Sequence, residues 1–390
     1  MPQPIRKVIK ETHPDLIKEP PFLTLLVDGN SLLFMAMRDE TVNSKGEHYG
    51  GVFQFLLQLK MQLQKRTFKY VYVFFDDEYS GKLRYDIYHQ YKANRDKHYS
   101  DYSADLSDYA KEVNAKVKRM QDYFFNKENR NKKEPKTDWD KFIDANFNRE
   151  RNILMQMFEE LYIRCYMDEI TEGDDLIAYY CKNKKENEKI VIISGDEDIT
   201  QLTSDEIVVY NLKHKAYIYP ANFKTYFGYH PSNVVLKKIL VGDTSDNIGN
   251  IRGLSEERLY NLMPEIKDRP VTLSEVKERA QKLTEERKSE KKKPLQVHEN
   301  IINGVSNKEY NGDFYEINDR LINLSKPILS KEAKEEMDAL MYAPIDPEGR
   351  SFENLYLIVK SNNIEKLCGE TNFASFFCTF KVLEKQNDIV

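Results

Sequence analysis

Three short runs that are almost wholly apolar constrain this chain more than anything else in it: Phe22 to Val27 (FLTLLV), Tyr70 to Phe75 (YVYVFF) and Ile190 to Ile193 (IVII). Runs this short and this apolar read as strands buried on both faces, as in a parallel sheet crossed by helices. Between the first two, Gly50 to Arg66 carries Val52, Phe53, Leu56, Leu57, Leu59, Met61 and Leu63 at close to helical spacing, which completes a β-α-β unit. Tyr162 to Met167, Ile207 to Leu212 and Lys215 to Tyr219 add shorter strands, and helices are expected over 151–161, 174–181, 222–226 and 232–241. The expected fold class is α/β, a mostly parallel sheet flanked by helices.

Acids stand wherever these elements meet. Asp28 follows the first strand, Asp76 the second, and Asp196 and Asp198 the third; Glu172, Asp174 and Asp175 open a helix, and Asp243 and Asp246 close another. An α/β sheet presents ligands at the carboxyl ends of its strands. A single Asp there caps a helix or makes a solvated turn, but nine acids so placed need another account. Carboxylates held close together repel unless a cation lies between them. Oxygen donors without His or Cys suit Mg²⁺ or Mn²⁺. Two such ions about 4 Å apart would organise in-line attack on a phosphodiester with no His, Ser or Cys nucleophile. A dinucleotide site is disfavoured because no GxGxxG follows the first strand.

A phosphatase would fit the acids equally well, but not the residues after Asp76. Lys82, Arg84, Lys92 and Arg95 alternate there with Tyr85, Tyr88 and Tyr91. Cations for phosphates and rings for bases suit a single-stranded nucleic acid, although the exposed face of an ordinary helix looks similar. From Asp96 to about Glu150 the chain becomes charge-rich with scattered Tyr and Phe, an excursion from the sheet that is either functional or disordered. The net charge of −5 argues only mildly against nucleic acid, since the acid cluster itself lowers the total. Unpaired Cys165, Cys181, Cys368 and Cys378, a Met1 to Lys18 leader without an apolar core, and no bilayer-length apolar run imply a soluble, cytoplasmic protein.

The motifs and their order resemble the structure-specific 5′ nucleases, the phage and bacterial 5′–3′ exonucleases and flap endonucleases with a PIN-like sheet. The matching segments are VDGNS at 27–31, FDD with S-x-K-L-R and YKANR over 74–95, EGDD at 172–175, ISGDEDITQL at 193–202 and GDTSDNI at 242–248. The long insertion and the C-terminal part are most similar to the ribonuclease H of T-even phages. The resemblance implies a nuclease domain over 22–241 after a leader at 1–21. It further implies a helical arch at about 96–147 that passes a 5′ strand, and a helical, helix-hairpin type domain over 242–390 that binds duplex.

By the same resemblance, Asp28, Asp76, Glu172 and Asp174 hold a first Mg²⁺ (or Mn²⁺), while Asp175, Asp196, Asp198, Asp243 and Asp246 surround a second. Lys92 and Arg95 meet the scissile phosphate, Arg84 contacts nucleic acid, and Tyr91 stacks on the terminal base. The implied activity is 5′–3′ exonuclease or flap endonuclease cleavage with RNase H-type removal of primers during DNA replication, and the implied source is a phage. Implied partners are branched or nicked duplex DNA and RNA–DNA hybrid with a 5′ end, and a replication clamp or single-strand-binding protein. A monomer is expected, with no membrane contact. Alternatives are a member that mainly holds branched DNA and a PIN-type single-stranded ribonuclease. A haloacid-dehalogenase phosphatase is disfavoured because Asp28-Gly29-Asn30 lacks that superfamily's second Asp.

The chain departs from the family pattern at IGNIRGLSEER, residues 248–258. Gly249 stands where Pro is usual, Ser255 replaces a hairpin Gly, and Glu257 and Arg258 replace Lys and Thr. Fewer glycines imply weaker phosphate binding by this loop. Residues 266–390 carry no recognisable chemistry. Lys282 to Lys293 reads as a solvated helix, Phe373 to Phe380 as buried, and the helices after Tyr315 are expected to pack on the hairpin region.

Overall fold

The computed structural model describes residues 21–94 and 138–387. The leader up to residue 20, Arg95, the insertion up to residue 137 and residues 388–390 lie outside the described residues. Strands β1 (Phe22–Asp28), β2 (Tyr70–Phe74), β3 (Arg164–Tyr166), β4 (Glu188–Ser194), β5 (Ile207–Asn211) and β6 (Ala216–Ile218) form one sheet in the order β3-β2-β1-β4-β5-β6. All neighbours run parallel except β5 and β6. Every expected strand is therefore present.

The register decides what the sheet presents. Asp28 lies opposite Phe74, and Val27 opposite Ile193, so β1, β2 and β4 end level with one another. The order reverses direction between β1 and β4, and such a switch point opens a crevice at the carboxyl edge. Side chains alternate along each strand. Leu25, Val27, Val71, Val73, Val191 and Ile193 enter one core, and Leu26, Tyr72, Phe74, Ile190 and Ile192 the other. Each such side chain, fully removed from water, contributes about 1.5–3 kcal/mol.

Helices α1 (Gly29–Ala36), α2 (Gly50–Lys65), α3 (Lys82–Ile87), α4 (Asp138–Glu160), α5 (Gly173–Lys182), α6 (Pro220–Phe227) and α7 (Val234–Val241) cover the sheet and its carboxyl edge. Residues 138–147, the last part of the expected arch, belong to the core helix α4; the rest of the expected arch lies outside the described residues. Phe142, Ile143 and Phe147 continue the apolar face of α4 and pack on the same core as Leu154 and Phe158.

The remainder is α8 (Glu256–Leu262), α9 (Leu273–Ser289), α10 (Gln296–Asn303), α11 (Phe314–Ile322), α12 (Lys331–Leu340), α13 (Phe352–Ser361), α14 (Glu370–Phe377) and α15 (Lys381–Asn387). The helices after Tyr315 do not all pack on the hairpin region. Only α11 joins the third core, with Leu240, Ile251 and Leu259 around the hairpin. Ala333 and Met337 of α12 seal one sheet face, whereas Leu355, Val359, Phe377 and Phe380 seal the other. The residues from Phe373 to Phe380 are buried through Phe373, Phe376, Phe377 and Phe380, as their apolar pattern implies.

Candidate active site

A cleft of about 1010 Å³ opens over the ends of β1, β2 and β4, roofed by the loop after α7. Asp28, Asp76, Glu172, Asp174, Asp196, Asp198, Asp243 and Asp246 all line it, together with Arg84, Tyr91 and Lys92. Acids spread over more than two hundred positions thus meet in one concavity. The donors are oxygen only, a set that suits a hard divalent cation. Among the described residues, however, no three such groups already converge on a common point closely enough to share an ion.

The hydrogen bonds account for the spacing. Asp28 accepts from Ser31 N at 2.9 Å and from Ser194 Oγ at 2.6 Å. Asp76 accepts from Asn30 Nδ2 at 3.0 Å and from Gly173 N at 2.7 Å, so the start of α5 is tied to the end of β2. Asp196 accepts the Asp198 amide at 2.8 Å. The Asp174 carboxylate accepts no hydrogen bond among the described residues. Burial, followed by the charges of Asp28, Asp196 and Asp76, holds its pKa well above the ordinary range. Burial likewise raises Asp28 to about 7, with Asp76 and Asp196 adding to the rise. Carboxyls in this state bind a proton or a cation more readily than a solvated acid does.

Glu172 is the opposite case. Burial opposes its charge, yet Lys92 and Arg84 draw its pKa down to about 2. Arg84 Nη1 donates to it at 2.6 Å, Tyr91 OH at 2.9 Å, and the Lys92 ammonium lies against it. Farther along the cleft, Lys238 contacts Asp198 and donates to Asp243 Oδ2 at 2.8 Å. Asp243 falls to about 2 because Lys238 outweighs its burial, whereas burial raises Asp198 to about 7.

Three residues sit differently from what their expected roles imply. Asp175 does not face the cleft: it is fully buried, accepts from Arg84 Nη2 at 3.1 Å and from Ile328 N at 2.9 Å, and so braces the fold. Arg84 is 5 % exposed; its guanidinium is consumed by Glu172, Asp175 and Leu321 O, the last at 2.8 Å, which leaves none of it for a nucleic-acid surface. The Tyr91 ring is 2 % exposed within the third core, so no base stacks on it in this conformation, although its hydroxyl reaches Glu172. Lys92 lines the cleft as expected but is paired with Glu172. For Arg84 and Tyr91 the alternation of cations and rings reads the same whether the side chains are buried or exposed, and burial decides.

Sequence reasoning missed a wall of the cleft made by Phe34 and Met35 of α1 and Arg38 just beyond it, with Ile143 and Phe147 of α4. Phe34 is 41 % exposed at the mouth. Its position six residues beyond Asp28 was the available signal. Lys213, Lys237 and Lys238 also line the cleft and were not singled out.

The divergent hairpin is closed on itself. The Gly249 amide donates to Tyr310 OH at 2.8 Å, Asn250 N to Asn307 Oδ1 at 2.9 Å, Ile251 N to Leu240 O at 2.9 Å and Arg252 N to Val305 O at 2.9 Å. Proline at 249 would lose the first of these bonds. A Cβ there would also approach Ser306 Oγ to 2.8 Å, which explains the glycine. Ser255 caps α8 by accepting from Arg258 N at 3.3 Å. These four amides are therefore already taken by protein groups.

A mostly parallel sheet with carboxylates at its switch point defines a class of protein, and comparison with known sequences agrees. Residues 23–228 match the model of the 5′-3′ exonuclease N-terminal, resolvase-like domain, more than half of the chain. The chain belongs to that family. It is similar to the thermostable DNA polymerase I of Thermus caldophilus, with 28% identity over 251 residues, covering 63% of this chain and 24% of the polymerase. DNA polymerase I of Bacillus subtilis is 24% identical over 248 residues, covering 61% of this chain and 23% of the polymerase. The chain thus spans about a quarter of the length of these curated relatives. Among solved structures, a bacteriophage T5 flap endonuclease in a pseudo-enzyme–product complex with DNA and metal ions shares the fold. Its TM-score is 0.54 at 14% identity, covering 87% of this chain and 99% of that one.

Proposed function

We propose that this protein is a divalent-metal-dependent phosphodiesterase, a 5′–3′ exonuclease or flap endonuclease with RNase H-type activity on primers. Its substrates are branched or nicked duplex DNA and RNA–DNA hybrid with a 5′ end. The observation that carries this reading is the shared cleft of Asp28, Asp76, Asp174 and Asp196, where burial, with neighbouring carboxylates adding to it, holds Asp28 and Asp174 above their ordinary pKa. Those four, with Glu172 beside them, would hold the ion. A hard dication there supplies Lewis acidity and a water of lowered pKa.

The chain's own groups do the rest. Asn30 and the Gly173 amide aim Asp76, while Ser31 and Ser194 aim Asp28. Phe34, Met35 and Phe147 make a wall that excludes water and offers a ring to a base. Lys92, once released from Glu172, would supply a cation to the phosphate.

Cleavage of fluorescent 5′-flap and RNA–DNA substrates in Mg²⁺ tests the reading. Asp28→Asn and Asp174→Asn are each expected to lower the rate by ~10²-fold or more while the fold is kept. Parental rates in both variants would rule it out. Tight binding of flap DNA without turnover by the parent would point instead to a protein that holds branched DNA.

A further inference from the structure

The segment that carries Tyr91 and Lys92 is held from outside by residues 306–310, between α10 and α11, which lie beyond the stretch that matches the family model. Ser306 pairs with Ile251 of the hairpin, which sets this loop beside residues 243–249. From there Lys308 Nζ donates to Asn247 O at 2.9 Å and also touches Asn247 Oδ1. The Tyr310 ring stacks on Tyr88, with centroids 4.6 Å apart and planes 7° from parallel, while its hydroxyl accepts from Gly249 N at 2.8 Å.

These contacts are passed on to Lys92. Asn247 Nδ2 donates to Gln90 O at 2.6 Å, Lys92 N donates to Asp246 O at 2.9 Å, and Asn94 Nδ2 donates to Thr244 O at 3.1 Å. Lys92 and Asn247 both have left-handed backbone, with φ of 52° and 59°. Asn adopts that conformation readily, but for Lys it is strained and persists only where the surroundings impose it. The turn at Lys92 decides where its side chain leaves the chain, and here that is into the cleft. Lys308 itself is half-buried, and among the described residues its ammonium hydrogen-bonds only to Asn247, a neutral partner. Burial lowers its pKa. A cation desolvated without an acid is costly, so charge pairing does not explain why it is there.

We propose that Lys308 is a positioning residue for Lys92: through Asn247 it braces the turn over 90–94, so that the Lys92 ammonium stays over the cleft when it leaves Glu172 for a substrate phosphate. The inference rests on the nuclease reading proposed above, but the brace itself has a readout that needs no cleavage.

Cleavage of a fluorescent 5′-flap substrate in Mg²⁺ by the full chain tests the catalytic consequence. Lys308→Met is expected to lower kcat by about tenfold or more while KM stays within about threefold, because the cation that meets the phosphate is displaced and the substrate's other contacts are kept. Lys308→Arg keeps the donors, and its kcat should stay within about threefold of the wild type. In a Lys92→Met background, K308M should change kcat by less than about twofold, since the group it positions is gone. A K308M loss that persists in full beside K92M would overturn the proposal, and so would one confined to KM. Hydrogen exchange of the amides over 88–94 reads the brace directly. It is expected to quicken by about tenfold in K308M and in Asn247→Gly, which keeps the left-handed turn but removes both side-chain contacts, and to stay unchanged in K308R. Unchanged exchange in both K308M and N247G would overturn the brace whatever the cleavage rates. A wild type that cleaves no flap DNA, with exchange quickened in the variants as expected, would remove the nuclease reading and uphold the brace.

Discussion

Asp28 illustrates how much a single side chain's surroundings alter its chemistry. It ends a buried strand, and although Ser31 and Ser194 both donate to it, burial still raises its pKa from 3.8 to about 7. A carboxyl with a raised folded-state value prefers the folded state when protonated. Without divalent ions, the folded chain therefore loses stability as pH rises from about 4 to about 7 and keeps that deficit above. Asp28→Asn removes the ionisation and leaves acceptors for both donors. In EDTA at pH 8 the variant is expected to be more stable than the wild type, by up to ~4 kcal/mol, with the difference gone near pH 4. Adding Mg²⁺ should reverse the order, since only the wild type retains the full acid set. Urea unfolding at the two pH values measures it, and a wild type that is the more stable form in EDTA at pH 8 would contradict the electrostatic account of the cleft.

Between elements, the strongest tie at the site is the Arg84 guanidinium. From α3 it reaches Glu172 and Asp175 at the start of α5 and the Leu321 carbonyl at the end of α11. Arg84→Met would leave two buried carboxylates short of their cation. Removing one partner of such a pair costs about 3–5 kcal/mol, well beyond what lost packing of the aliphatic stem would explain. Equilibrium unfolding checks this value, and a loss below about 1 kcal/mol would mean that the cluster is hydrated. The hairpin follows the same logic in reverse. Its amides from Gly249 to Arg252 donate to protein partners, so in this conformation they are not free for a phosphate.

Across the whole molecule, the C-terminal third acts as a strap and not as an appended module. Gln201 Nε2 donates to Ile322 O at 3.1 Å and its Oε1 accepts from Leu324 N at 2.8 Å. Ile328 N then reaches Asp175, and Tyr342 N reaches Tyr72 OH at 2.9 Å beneath the sheet. Beyond it, Leu355, Val359, Ile364, Phe377 and Phe380 are each at most 1 % exposed against the face that carries α2 and α4. A chain ending at Ala343 would expose that face. It is expected to unfold at markedly lower urea or to lose its cooperative transition, with activity falling in parallel. A truncated chain with an unchanged midpoint and unchanged cleavage would show that the last helices are dispensable.

Much of this was legible in the amino-acid order because it is local. FLTLLV, YVYVFF and IVII admit little besides buried parallel strands, and each chain reversal after such a strand falls at the same edge, so the placing of Asp28, Asp76 and Asp196 along one edge follows from strand direction, while Asp174 is brought there by the tie of Gly173 to Asp76. What tertiary structure decided is the set of pairings between charges far apart in the chain. Nothing near Asp175 reveals that Arg84 and Ile328 will claim it, nothing in YKANR shows that Tyr91 turns inward, and only folding brings Lys238 between Asp198 and Asp243. Strand burial is written in hydrophobic periodicity, which one segment carries by itself, whereas the fate of a charge depends on burial and on which opposite charge lies within a few ångströms, and both are properties of the assembled molecule.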